Sequence, residues 1–91
     1  MLTLAEAREV LRLDNADNDD IITGLLEAIP DYIKLSTGLT PKQQLYQPLA
    51  DTASRFILLL WYNAERADSD RLQRTIDSLL SSLALIALRG E

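Results

Sequence analysis

Apolar residues recur along the chain at helical spacing in four stretches, and no stretch alternates with the period of a strand. In the first, Leu4, Ala7, Val10 and Leu11 form one stripe. Thr3 followed by Glu6 is a capping box: the Thr hydroxyl accepts from a free amide one turn on, and the Glu reaches back. The pattern predicts a helix of roughly three turns that stops near Leu13, because Asp14-Asn15-Ala16-Asp17-Asn18 is turn chemistry. A second helix is expected from Asn18 or Asp19, where Asp19 and Asp20 suit the positive end of the helix dipole. Its stripe is Ile21, Ile22, Leu25, Leu26, Ile29, Tyr32 and Ile33, and Gly38 supplies the stop. Pro30 interrupts this stripe by removing a backbone donor and crowding the carbonyl four residues back. A bend near Glu27 is expected, with the stripe continuing in phase beyond it.

Leu39 to Gln47 reads as a connector, with Pro41 near its start and Pro48 just past its end. Pro48 suits the first turn of a third helix, expected to run to about Arg66. Its principal face is Ala53, Phe56, Ile57, Leu60 and Ala64. Asp68-Ser69-Asp70 then caps a fourth helix with the stripe Leu72, Ile76, Leu79, Leu83 and Ile86 or Ala87. Leu80, Leu85 and Leu88 widen that stripe, and Gly90 closes the helix. There is no internal repeat and no low-complexity linker. The expected class is all-α: a small bundle of about four helices forming a single domain over residues 1–91.

Phe56 to Tyr62 carries more apolar surface than one stripe needs. These seven consecutive residues wind through nearly two helical turns and are apolar on every side. Leu58, Leu59, Trp61 and Tyr62 lie off the principal face. With Leu85 and Leu88 they exceed what one narrow bundle must bury, so these six are the candidate oligomer or partner interface. Trp61 and Tyr62 point about 100° apart, and at least one of them is expected in an interface, where such aromatics concentrate. The chain reads as an assembly protein.

Composition narrows the chemistry. At 91 residues, the domain buries only about 60–65% of its unfolded surface, so every large side chain matters. A net charge of −5 argues against gripping nucleic acid by phosphate neutralisation. The chain has no Cys and no His, which removes the thiolate nucleophile, the commonest general base and the commonest metal ligands. Asp14, Asp17, Asp19 and Asp20 do not make a calcium loop, because Ala16 and Leu25 fall where ligands are required. Glu27 and Asp31 read as a solvated helix face, and Asp51 with Arg55 and Asp70 with Arg74 as surface pairs. Arg66, Arg71 and Arg74 cluster, but Asp68, Asp70 and Asp77 dilute them. No catalytic, cofactor-binding or metal-binding residue is assigned, and an enzyme is not expected. The N-terminus lacks the pattern of a signal peptide, and Leu79 to Leu88 is too short for a membrane span. A soluble product, intracellular when made and without membrane contact, is expected.

Leu2 to Asp14, the Asp19-Asp20-Ile21-Ile22 start of the second helix, Tyr32-Ile33 and Thr37-Gly38 are in a familiar order. Leu59-Leu60-Trp61-Tyr62-Asn63 and Ile76 to Leu83 complete the set. In these features the chain resembles the small head–tail connector (adaptor) proteins of tailed phages and prophages, a family also described as DNA-packaging proteins. The resemblance covers nearly the whole chain; Pro30 departs from it. It implies a helical protomer that assembles with copies of itself into a ring, about twelve-fold, beneath the portal protein. Such a ring extends the DNA channel and docks a tail-completion or stopper protein, so the implied location is the virion's head–tail junction, after assembly in the host cytoplasm. An acidic lumen would let DNA pass without specific binding, because phosphates are repelled.

The alternative from another class is a small homodimeric helical regulatory or binding module. Its helix-turn-helix version needs a recognition helix that opens with Arg, Lys, Asn or Gln. The second helix opens with Asp and the third with few donors, which counts against it.

Overall fold

The computed structural model describes residues 2–63 and 69–89, and among them the chain forms five helices and no strand. Helix α1 spans Leu4–Leu11 and opens with the expected capping box. The Thr3 amide donates to Glu6 Oε1 at 3.0 Å and the Glu6 amide to Thr3 Oγ1 at 3.1 Å. The helix covers its whole apolar stripe and stops slightly before the expected Leu13. It ends where Arg12 takes the left-handed conformation, with φ 58° and ψ 43°.

Helix α2, Asp19–Thr37, begins and ends where its sequence signals lie. Gly38 closes it at φ 88°, a conformation that a side chain would strain, and its amide donates to the Lys34 carbonyl. The helix runs through Pro30 without a break, and Pro30 is buried. The expected connector contains a further helix, α3, over Pro41–Gln44. Thr40 and Gln43 form a second capping box around it. The buried Gln44 amide donates at 2.9 Å to the carbonyls of Pro30 and Leu39, pinning α3 against α2. Pro48 opens α4, Pro48–Tyr62. That helix ends at Asn63, short of the expected Arg66; Ala64, Arg66, Asp68 and Gly90 lie outside the described residues. Helix α5 spans Ser69–Leu88.

Helices α4 and α5 make the most extensive contact in the bundle, α2 packs against both, and α1 lies over α2 and α4. The core takes Ile22, Ile29 and Ile33 from α2, Ala53, Ile57 and Leu58 from α4, and Ile76, Leu80 and Leu83 from α5. Leu2, Ala7 and Leu39 close it. Two contacts fix the directions of the helices. Asn18 Nδ2 donates to the Tyr62 hydroxyl at 2.6 Å, so α2 starts beside the end of α4. At the other end Gly38 lies against Ala87, bringing the ends of α2 and α5 together. Helices α2 and α5 therefore run in the same sense, and α4 runs against both.

Two sequence expectations are corrected here. Leu58 is no surplus residue: it is 0% exposed, because neighbours pack against α4 from more than one side. Full burial of such a leucine contributes about 1.5–3 kcal/mol. Ile21, assigned to the inner stripe of α2, is 61% exposed. Adjacent helical positions diverge by about 100°, and the core takes Ile22 in its place.

Candidate assembly surface

The six candidate interface residues do not form one patch. Leu58 is enclosed in the protomer, so it has no surface to offer a partner. Leu59, Trp61 and Tyr62 are half-buried at the end of α4. The Trp61 ring meets Tyr32 edge-on, with centroids 5.4 Å apart, and the Tyr62 hydroxyl is held by Asn18. Both aromatics thus have partners inside the protomer. Leu85 and Leu88 lie toward the opposite end of the bundle, on the face of α5 turned away from the core, 57% and 84% exposed.

Exposed apolar residues that periodicity alone did not single out are Leu35 at the end of α2 and Leu45 and Tyr46 after α3. They share with Leu85 and Leu88 the end of the bundle marked by the Gly38–Ala87 contact. Leu35, 87% exposed, is the barest of them. A signal for it was present: it falls midway round the helix from the Ile29–Ile33–Thr37 stripe. Gly24 is a second such signal. It stands in the exposed interior of α2, where Gly destabilises by roughly 0.5–1 kcal/mol relative to Ala. A Cβ built there meets nothing within 4 Å, so packing in the protomer does not require the glycine.

Charge is arranged differently. The three ion pairs among the described residues all bear on α1 or its dock. Arg8 pairs with Asp19 at the start of α2, with Nε 3.0 Å from Oδ1. Arg55 joins Glu6 at 3.1 Å and Asp51 at 3.0 Å, the latter being the expected surface pair. The hydrogen bond from Arg8 holds the Asp19 carboxyl below its ordinary range. Glu6 is lowered chiefly by the Thr3 amide and hydroxyl, with Arg55 adding less. These groups are solvated and already partnered, an arrangement suited to fastening a short helix. No group of three or more acidic residues converges as a metal site among the described residues. Glu27 and Asp31 lie exposed, and among the described residues no helix is long and apolar enough to cross a membrane.

The sequence model of a family described as phage gp6-like head-tail connector protein matches residues 1–87. The chain belongs to that family. No curated protein and no solved structure matches the chain. The connector is thus a component of phage particles, from a family of structural proteins that assemble with other head and tail proteins.

Proposed function

We propose that this connector is a structural head-completion protein, a single domain over residues 1–91, that forms a ring beneath the portal. The ring extends the DNA channel and gives the tail or stopper protein a docking surface. The observation that carries the reading is the pair Leu85 and Leu88, left in water on the outer face of α5 in a chain of the connector family. Solvated apolar surface of this kind gains free energy when a partner covers it. Leu59, Trp61 and Tyr62 supply a second, half-covered apolar region at the other end of the bundle, suited to a different partner in the same stack. The net charge of −5 supports a lumen that repels phosphates and lets DNA slide.

The test is reconstitution. Mixed with portal protein from the same phage, the connector should bind and appear by electron microscopy as a closed ring coaxial with the portal. Heads completed with it should accept tails, and heads lacking it should not. A connector that never associates with the portal, alone or on packaged heads, overturns the reading.

A further inference from the structure

Helices α2 and α5 each carry a second stripe that the protomer leaves in water. On α2 it is Ile21, Gly24, Ala28, Asp31 and Leu35, all exposed. On α5 it is Arg71, Arg74, Ser78, Ser81, Leu85 and Leu88, again all exposed. Both repeat in alternating steps of three and four, the spacing of a helix seam that packs against another helix. The residue types complement each other along the two helices when these run in the same sense. Leu35 falls opposite Leu85, and Asp31 opposite the Ser81 hydroxyl. Ala28 meets Ser78, two small residues that permit close approach of the backbones. Gly24 leaves room for the stem of Arg74, whose guanidinium is then within reach of Glu27, and Arg71 lays its stem along Ile21 while its guanidinium approaches Asp20. Among the described residues no ion pair engages Asp20, Glu27, Asp31, Arg71 or Arg74.

We propose that the outer stripe of α2 on one copy pairs in parallel with the outer stripe of α5 on the next. The occupant is a second copy of this chain. Charge complementarity favours it: the two arginines lie on the α5 stripe itself, with Asp70 and Asp77 to one side of it, and they face acidic groups on and beside the α2 stripe. The open space beside Gly24 supports it independently, because nothing in the described protomer fills it. Pairing of α5 with itself is disfavoured: a parallel pair sets arginine against arginine, and an antiparallel pair sets both arginines against leucines that have no carboxylate of the described residues beside them. The contact joins two different surfaces, which is what a closed ring of identical copies requires. In a ring whose axis follows the bundle, neighbours keep the same sense, as α2 and α5 already do within one copy. The inference rests on the ring reading proposed above and assigns its subunit contact.

The chain has no cysteine, so disulfide trapping starts from a silent background. Ala28→Cys and Ser78→Cys are made singly, and the oxidised proteins are tested separately and mixed, alone and with portal. The expected result is a cross-link in the mixture and none in either variant by itself. Gly24→Leu should raise the melting temperature of the protomer and yet abolish ring formation. Arg74→Glu should also abolish it, and Glu27→Arg in the same chain should restore it. Self-cross-linking of either single-cysteine variant would overturn the proposal, as would rings formed normally by Gly24→Leu. If wild-type protein forms no ring even with portal, the ring reading itself fails; if it forms rings that these variants leave intact, only the assigned contact fails.

Discussion

At α1 polar fastenings supplement a short, half-buried apolar stripe, whereas α5 is held by an apolar inner stripe and leaves an outer one in water. Helix α1 has eight residues and only Ala7 of them fully buried. A helix that short is marginal on its own, so a capping box, Arg8–Asp19 and Glu6–Arg55 position it. Helix α5 has twenty residues, and Ile76, Leu80 and Leu83 anchor it along much of that length. It can therefore expose Leu85 and Leu88 without loosening. Fastening consumes the side chains of the first region; length and a single buried stripe release those of the second for contact with other molecules.

Substitutions that cross the boundary between these regimes test the contrast. The largest effect should come from Leu58, which belongs wholly to the protomer: Leu58→Ala should cost about 2–5 kcal/mol, and Leu58→Glu should leave no cooperative thermal transition. Next is the buried polar fastening of α3. Gln44→Ala removes the tie to α2 at Pro30 and strands the carbonyl of Leu39, and should cost about 1–3 kcal/mol in denaturant unfolding. Thr3→Ala removes the cap of α1 and should cost about 1 kcal/mol, with exchange protection lost first at the N-terminus.

A weaker effect is expected from acid. Glu6 and Asp19 are both lowered from their ordinary values of 4.5 and 3.8, so the folded state favours their charged forms. Their contribution is present above those ordinary values and is lost as pH falls through the lower, folded ones. Arg8→Gln should flatten that acid-side decline in melting temperature. The smallest effect on folding should be that of Leu88→Glu, which changes protomer stability by no more than about 0.5 kcal/mol. The same change should nevertheless prevent assembly, because it sets a charge in an apolar contact. Circular dichroism and light scattering on one sample separate the two consequences; loss of helicity with Leu88→Glu would erase the contrast.

Much of the bundle was legible because its signals are local. The Thr3–Glu6 box, Gly38 and Pro48 each mark an end by chemistry confined to one turn, and each end is where the signal put it. Helix α3 carries the same kind of signal in Thr40–Gln43, but between two prolines the segment read as a connector. The burial of Leu58 was not legible, since periodicity ranks the faces of a helix without counting its neighbours. The Arg8–Asp19 pair and the Tyr32–Trp61 contact join distant segments, and nothing local announces them. For the candidate surface, Leu85 and Leu88 stood out by widening a stripe already complete. Leu35 and Gly24 gained meaning only once the structure showed which side of α2 is bare.

The closeness of α4 and α5 also bears on how fast a copy becomes usable. The most extensive contact in the molecule joins two helices that are consecutive in the chain. Helical proteins dominated by such local contacts fold in microseconds to milliseconds, because little loop-closure entropy is lost before contacts form. A copy leaving the ribosome would thus be folded long before it meets its partners, so the pace of assembly is set by encounter and not by folding.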